Sequence, residues 1–431
     1  MLKKQLTLLF SILLFTSCRE ASNLLHSTIE NQSHDYKASA LALKSCKVNE
    51  AISIVKNNKN ILLKNLELGL GNYYQDDYLT SNKHFDIAIN EYRKDDNKAL
   101  FDISTFLKKE YQLEGYDKVL LHNYKAINYL LRGEAEKARV EAKNSNILQN
   151  EEQKKLKRFK EVNSKENLNT HLFSRYEKLF NHVNAQHNPY QNPFAYYLSA
   201  LAYAEDNDYE NALIDINKAK KFFPNAKVLE HKLKQYQEQN SSNSMELFFD
   251  IGEAPVKSQV ALKLNMGNDE QRMAYLPSFH LEINNIDHIY IKNSKGNIVA
   301  KSSILVDINA IKINEFKEKL PSMLYLISQQ ASISLTSSKL NAHSKVLSGL
   351  FNAGAAIYGQ NSTATWSFLP EKTLVISFVP KASETYSIFV ISKNGEVLDE
   401  KLLILEKNQK TKNIYRHFNL RYNNICRKTN I

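Results

Sequence analysis

The side chains that could do chemistry in this chain are its cysteines, histidines and acidic residues, and their spacing fits no catalytic motif. The sequence has no Gly-x-Ser-x-Gly elbow, no phosphate-binding Walker loop and no His-Glu-x-x-His zinc motif. His182 and His187 are five residues apart, so they share no helical face and indicate no metal site. The acidic residues are spread as on any charged helical surface. We therefore predict a protein that binds rather than catalyses, with no catalytic residue, no metal and no cofactor.

Cys18 is the cysteine whose neighbours point to a specific reaction. Lys3 and Lys4 precede an apolar run over 6–15, which is the order of a secretory signal. The run is too short to span a bilayer, which needs about 20 apolar residues. A small residue, Ser17, stands directly before the cysteine and would permit cleavage there. We predict that residues 1–17 are a signal peptide and that 18–39 form a linker.

The last five residues of this segment, LFTSC at 14–18, resemble a bacterial lipoprotein signal. The resemblance implies that Cys18 receives diacylglycerol and becomes the acylated N-terminus. Arg19 in place of Asp after the cysteine implies sorting to the outer membrane rather than retention in the inner one. Two or more acyl chains anchor a protein stably, which predicts a protein tethered at the periplasmic face of the outer membrane. The alternative is an ordinary cleaved signal with an incidental cysteine.

The net charge of +11 over 431 residues is concentrated at the two ends of the chain. Two lysines precede Cys18, and residues 407–431 carry seven basic residues and no acidic one. Subtracting both contributions leaves +2 for residues 18–406, which argues against a nucleic-acid partner. The basic tail, 407–431, either binds anionic lipid head groups or wall polymers, or is a solubilising, disordered end.

The two remaining cysteines, Cys46 and Cys426, are too few for a disulfide framework. They would be able to pair in an oxidising compartment. They lie in the first helical stretch and in the basic tail, and no local pattern brings them together. We predict two free thiols.

Residues 40–237 carry apolar side chains at helical spacing and an internal repeat. The clearest copy, 192–225, resembles a tetratricopeptide repeat because small Ala200 and Ala212 stand where two helices must approach closely. Further copies lie at 120–146 and 66–92. Stacked helix pairs of this kind enclose a concave groove.

The first helix of each repeat would line that groove, which makes its exposed face the candidate partner-binding surface. We predict a slot for a peptide or a partner helix; the alternative is that the same side chains pack against neighbouring helices. The candidate residues are Tyr73, Tyr74, Asn123, Ile127, Phe194 and Tyr197.

Residues 245–406 change to a period of two, which is typical of strands. Two hairpins turn at 294–296 and 393–395, and a strand rich in β-branched residues covers 373–379. Helical stretches are predicted over 312–330 and 341–358; the second, rich in small residues, either faces lipid or a partner or packs over the sheet. The predicted fold is α+β: a TPR-like α-helical solenoid followed by an antiparallel β-sandwich-like domain with a helical insertion.

Three stretches, 118–146, 247–266 and 364–380, resemble in order a proteobacterial family of tetratricopeptide-repeat lipoproteins of unknown function. The resemblance spans roughly residues 110–405. It implies a role in cell-envelope or peptidoglycan assembly, because that family often neighbours a lipoprotein activator of penicillin-binding proteins. We predict a scaffold or adaptor that binds another envelope protein or peptide rather than a small molecule. The alternative is an enzyme acting on cell-wall glycan or peptide.

Overall fold

The computed structural model describes most of the chain between residues 38 and 426. Cys18, the signal segment, the predicted helix at 341–358 and His182 lie outside the described residues. The described residues are 38–96, 111, 113, 115–163, 170–181, 183, 187, 188, 190, 192–239, 243–265, 271–282, 284–321, 364–405, 411–420 and 426.

Helices occupy the first half of the described chain and strands dominate the second, so the prediction of a mixed helix and sheet protein is confirmed. Among the described residues, no helix is long and apolar enough to cross a membrane. The helices before the first strand are α1 (38–44), α2 (Val48–Val55), α3 (Ile61–Tyr74), α4 (Tyr78–Asp96), α5 (Tyr116–Leu131), α6 (Ala135–Asn163), α7 (Thr170–Asn181), α8 (Pro193–Glu205), α9 (Tyr209–Phe222) and α10 (Lys227–Gln237).

Successive helices pack as antiparallel pairs, α3 with α4, α5 with α6 and α8 with α9. Polar caps define where helices begin: Asn60 accepts the Leu63 N–H at the start of α3, and Asp208 accepts the Asn211 N–H at the start of α9. Small side chains let the paired helices approach closely, because they leave room for the larger ones opposite. Ala138, Ala142, Ala200 and Ala212 are all fully buried.

Gly69 provides the closest approach in the first pair, where a Cβ would overlap the ring of Phe85 on α4. We expect Gly69→Ala to lower the free energy of unfolding. Overpacking costs about 1–3 kcal/mol and outweighs the roughly 1 kcal/mol by which Ala is the better helix former. Urea unfolding measures the loss. Phe85→Leu should make room for the added methyl group, so the double variant should lose less free energy of unfolding than the two single variants together. A double variant that loses the full sum would contradict this packing.

Within the described residues, the strands form two four-stranded sheets and a separate two-stranded ribbon, β2–β3. Sheet 1 has the order β10-β1-β7-β6 and sheet 2 the order β5-β4-β8-β9. The strands are β1 (Met245–Ile251), β2 (Val256–Asn265), β3 (Gln271–His280), β4 (Ile286–Asn293), β5 (Ile298–Lys301), β6 (Ser303–Asp307), β7 (Lys372–Phe378), β8 (Tyr386–Ser392), β9 (Val397–Leu403) and β10 (Ile414–Leu420).

The strand β10 differs from two sequence-based predictions. It lies within 407–431, which was predicted to be a basic tail outside the fold, and it pairs parallel to β1 rather than antiparallel. The reason is that alternate apolar side chains in this segment, including Ile414 and Leu420, are buried although Lys and Arg stand between them. The high positive charge of 407–431 predicted a tail, although the segment contains a strand.

Sheet 1 is the middle layer of the molecule, because both faces of its strands are buried. Every residue of β1 is buried: Phe248 packs among the helices, whereas Leu247 and Phe249 pack against sheet 2. The helices therefore cover one face of sheet 1 and sheet 2 covers the other. The strand-rich part and the helical array share one apolar core.

The insertion between β6 and β7 begins with helix α11, which covers 308–321 within the described residues. The prediction placed its start at 312. The helix begins earlier because Asp307 accepts the Ala310 N–H at 2.9 Å and caps the first turn.

Cys46 and Cys426 form a disulfide, so the prediction of two free thiols is wrong. The two residues are 380 positions apart, with their Cα atoms at 5.4 Å. Cys46 lies in the turn after α1, and the Cys426 N–H returns to the Asn419 carbonyl at the end of β10. The pairing depends on β10 joining the fold, which no local pattern reveals.

Candidate functional site: the inner face of the helical array

The inner face of the array is the side of α3, α5 and α8 that meets sheet 1 and the loop 364–371. All six predicted groove residues are buried, so these side chains line no open slot in the structure. Sheet 1 and the loop contact Tyr73, Tyr74, Phe194 and Tyr197, a covering that neither the predicted groove nor its alternative included. The exposed fractions are Tyr73 0%, Tyr74 8%, Asn123 0%, Ile127 0%, Phe194 2% and Tyr197 0%.

Contacts from sheet 1 and the loop hold most of these side chains. The Tyr74 hydroxyl donates to the Phe368 carbonyl at 2.9 Å, and the rings of Tyr73 and His417 lie 4.1 Å apart. The ring of Phe194 packs edge-on to Phe248. Asn123 and Ile127 lie deeper, within the array. The sequence could not show this because the covering residues lie further along the chain, by 49 positions from Tyr197 to Glu246 and by 294 from Tyr74 to Phe368.

The side chain of Glu67 on α3 binds backbone groups of the loop 364–371. Its carboxylate is fully buried and accepts the Ser367 N–H at 2.6 Å and hydroxyl at 2.8 Å, and the Phe368 N–H at 2.9 Å. Trp366, the residue before Ser367, is fully buried with its ring edge-on to Tyr124. A helix carboxylate thus satisfies two successive amides of an irregular segment, which buried backbone requires.

Glu205, the last residue of α8, binds the segment that leads into β10. It accepts the Lys412 N–H at 2.7 Å, the Asn413 N–H at 3.1 Å and side-chain amide at 2.7 Å, and the Tyr415 hydroxyl at 2.8 Å. Burial, and then the charge of Glu205, raises the pKa of Tyr415 well above its ordinary value. The hydroxyl therefore stays protonated and donates. Glu67 and Glu205 play the same part at two places on the inner face.

A fully buried ion pair joins the array to the start of β1. The Lys232 ammonium on α10 pairs with the Glu246 carboxylate, and both side chains are inaccessible to solvent. Glu246 also accepts the Tyr197 hydroxyl at 2.6 Å and the Ser377 hydroxyl at 3.0 Å. Lys232 donates to the Ser244 hydroxyl at 2.9 Å. Every charge here has several partners, as burial demands.

Asp250 lies four residues after Glu246 on the same face of β1 and contacts β10. Its carboxylate accepts the Thr373 hydroxyl at 2.6 Å and lies 3.2 Å from the Nε2 atom of His417. His417 is thus enclosed between Asp250 and the ring of Tyr73. The segment 411–420 therefore meets acidic groups at two places, Glu205 on the inner face and Asp250 on β1.

A second buried polar cluster lies inside the array, between α5 and α6. His122 Nδ1 is 2.6 Å from Glu141 Oε2, and the Lys125 ammonium is 2.7 Å from Glu141 Oε1. Lys118 pairs with Glu152 at 3.2 Å. None of the sequence-based predictions includes this cluster. The missed signal is basic side chains at i, i+4 and i+7 of α5, opposite acidic residues on α6.

His122 has a hydroxyl on its other side, since Tyr92 Oη lies 3.3 Å from Nε2. The order hydroxyl, imidazole, carboxylate resembles a catalytic relay. The exposed fractions are 4% for Tyr92, 1% for His122 and 8% for Glu141, so no substrate reaches them in this structure. The arrangement supports packing of α4 against α5 and α6.

Acid should weaken this cluster through Glu141. Burial alone would raise its pKa, but the hydrogen bond from His122 and the charge of Lys125 lower it below the ordinary 4.5. A carboxylate with a depressed folded-state pKa stabilises the fold above its unfolded pKa, and the contribution is lost as pH falls through the folded value. We expect Glu141→Gln to cost stability that is constant near pH 7 and shrinks below about pH 4.5. Denaturant unfolding from pH 7 to pH 3 measures it; a cost that grows with acid would contradict the assignment.

Within the described part of the chain, no group of three or more His, Cys, Asp or Glu side chains is placed to hold a metal ion. His187 is buried against the ring of Phe223, with centroids 4.8 Å apart.

No family model and no curated protein matches this chain. One solved structure with similarity is described as the TPR2AB-domain:pHSP90-complex of yeast Sti1. It is 16% identical, the match covers 49% of this chain and 84% of that one, and the TM-score is 0.21. This is a weak, distant likeness to a TPR-domain protein and carries no conclusion about function. The resemblance to the proteobacterial lipoprotein family stays a prediction.

Proposed function

We propose that this chain is a protein-interaction scaffold whose helical array binds polypeptide segments through their backbone amides. The observation that supports the proposal is the repeated use of a buried glutamate on the inner face. Glu67 accepts two successive backbone amides of one irregular segment, and Glu205 accepts two of another. Both segments belong to the chain itself, and they support the proposal as examples of polypeptide backbone held on this face.

The chemistry of the inner face suits peptides rather than small molecules. Hydrogen bonds from backbone N–H groups to a carboxylate are charge-assisted and do not depend on side-chain identity. Specificity then comes from neighbouring side chains: Trp366 beside Tyr124 for one segment, Tyr415 and His417 for the other. This division of affinity and specificity is general in peptide recognition.

We further propose that the scaffold works at the periplasmic face of the outer membrane, anchored through Cys18, in cell-envelope or peptidoglycan assembly. The lipoprotein-like signal at 14–18 and Arg19 support the anchor and its sorting. The Cys46–Cys426 disulfide supports an oxidising compartment, because such bonds are rare in the cytosol. The role in envelope assembly rests on the family resemblance.

Replacing Cys18 with Ala tests the anchor. We expect Cys18→Ala to move the protein from the membrane fraction to the soluble periplasmic fraction, and metabolic labelling with a fatty acid to disappear. Ser17→Gly, which keeps a small residue before the cysteine, is the matched control and should stay membrane-bound. Retention of the Cys18→Ala protein in the outer membrane would contradict the anchor.

Site-specific photo-crosslinking in intact cells tests the scaffold. Gln75 and Asp206 are turn residues that directly follow the inner-face residues Tyr74 and Glu205. A photo-reactive residue at either should crosslink the same envelope protein. Asn394, in the exposed β8–β9 turn, is the control and should give no such adduct. Absence of a shared adduct from Gln75 and Asp206 would count against the scaffold.

The alternative, an enzyme that processes cell-wall glycan or peptide, stays a prediction. The Tyr92, His122 and Glu141 arrangement gives it no support, because all three side chains are buried. Incubating the purified protein with peptidoglycan and separating the fragments by chromatography distinguishes the two functions.

A further inference from the structure

We infer that the segment Thr411–Leu420, which contains β10, is an exchangeable ligand of the inner face, and that the Cys46–Cys426 disulfide locks it in place. Once the disulfide is reduced, the same site accepts an extended basic segment of another polypeptide. This inference rests on the proposed function, because it names the partner chemistry and the control of the same face.

The position of β10 makes exchange feasible. It is an edge strand, and within the described residues its ladder partner is β1, in a parallel register from Met245↔Ile414 to Ile251↔Leu420. On its other side β1 pairs with β7, so sheet 1 keeps β1, β7 and β6 when β10 leaves. The exposed edge of β1 is then a ready template for another strand.

The contacts along the segment define the ligand chemistry. Glu205 accepts from the amides of Lys412 and Asn413 and from the Tyr415 hydroxyl. His417 fits between Tyr73 and Asp250. The fitting partner is thus an extended segment with a side-chain amide, a tyrosine two positions later and a histidine two after that.

Charge and ring stacking complete the match. The segment carries basic residues and no acidic one; His417 lies 3.2 Å from the buried carboxylate of Asp250, whereas Arg416 donates to the Tyr415 carbonyl at 3.0 Å. On the opposite side of sheet 1, the ring of Phe418 stacks on that of Phe249, with centroids 4.9 Å apart and planes 14° from parallel.

The disulfide fixes the chain after the C-terminal end of β10, whereas Glu205 binds the chain at its N-terminal end. Glu205 binds the start of the segment through hydrogen bonds, and Cys426, beyond its end, is joined covalently to the turn after α1. A covalent link at one end and a carboxylate at the other keep the segment across the array. A dithiol that supplies two electrons and two protons reduces the Cys46–Cys426 bond to two thiols and is itself oxidised to a disulfide. This reduction frees only the C-terminal end of the segment.

Hydrogen exchange on the full chain tests the lock. After reduction we expect the amides of Ile414–Leu420 to accelerate at least ten-fold more than those of β7 (Lys372–Phe378), whose acceleration reports the loss of global stability. The β7 strand is the internal control because it pairs with the other edge of β1. Equal acceleration of both strands would mean that the disulfide supports the whole fold, and no acceleration would mean that it locks nothing. Either result would overturn the inference.

Binding of a fluorescent decapeptide with the sequence of residues 411–420 tests the exchange. Fluorescence anisotropy should show saturable binding to the reduced chain at least ten-fold tighter than to the oxidised chain. A control peptide carrying the changes Asn413→Ala and Tyr415→Ala should bind at least ten-fold more weakly, since it lacks the two side-chain groups that donate to Glu205. Equal binding to both redox states, or no binding to the reduced chain, would overturn the inference.

The crosslinking test of the scaffold is independent of this result. Crosslinks from Gln75 and Asp206 together with a failed decapeptide would remove the exchange mechanism and leave the scaffold. A decapeptide that binds as expected, without crosslinks in cells, would leave an exchangeable strand and remove the scaffold.

Discussion

Glu246→Gln should lower the free energy of unfolding by about 3–5 kcal/mol, because it leaves the Lys232 ammonium buried without a counter-charge. Both side chains are fully inaccessible to solvent. Glu246 also binds Tyr197 on α8, so its loss disturbs the contact between the array and sheet 1. Burial, and then the charge of Glu246, raises the pKa of Tyr197 well above its ordinary value, so that hydroxyl keeps its proton. Urea unfolding followed by fluorescence measures the loss.

Two further variants isolate the ion pair. Lys232→Met combined with Glu246→Gln should cost less than the sum of the single changes, because it leaves no unpaired charge. Lys234→Met is the matched control: Lys234 lies on the same helix, and its pair with Glu238 is exposed at 3.9 Å. The control should unfold almost as the wild type does. A Lys232→Met loss no larger than that of the control would contradict the buried pair.

Cys426→Ser should lower the free energy of unfolding by roughly 4 kcal/mol. The Cys46–Cys426 bond closes a loop of 380 positions, and a cross-link over so long a loop strongly restricts the unfolded chain. Denaturant unfolding of the oxidised wild type, the reduced wild type and the variant measures the difference. We expect the reduced wild type and the Cys426→Ser variant to have the same free energy of unfolding.

Adding reductant to the Cys426→Ser protein is the control, and it should change nothing further. Alkylation of the unfolded, unreduced wild type should leave Cys46 and Cys426 unmodified. Alkylation of both thiols, or equal stability of oxidised and reduced wild type, would contradict the pairing.

The helices and hairpins could be predicted because their signals are local. Ala200 and Ala212 mark a close helix crossing, and Asp208 marks the start of the second helix. Gly296 and Gly395 adopt positive φ angles of 83° and 84° at the two hairpin turns, which favours glycine. Each signal lies within a few residues of the structure it predicts.

The covering of the inner face could not be predicted, because it depends on contacts between distant parts of the chain. Tyr73 and Tyr197 carry the same pattern whether they line an open groove or pack on a sheet. The strand β10 was not predicted because Arg416 interrupts its apolar residues and Lys412 precedes them. One signal was present but ambiguous: Glu67 stands within an otherwise apolar stretch of α3, and such an isolated acid indicates a buried partner only once the partner is known.

Amide-resolved hydrogen exchange on the oxidised chain tests most directly the claim that the inner face binds polypeptide backbone. The amides bound by the two glutamates should exchange only through global opening, although neither pair lies in a helix or a strand. Glu67→Gln should accelerate exchange in its own segment alone, and Glu205→Gln in the other alone. Exchange at these four amides as fast as in an unstructured peptide would contradict the account. The amides are those of Ser367, Phe368, Lys412 and Asn413.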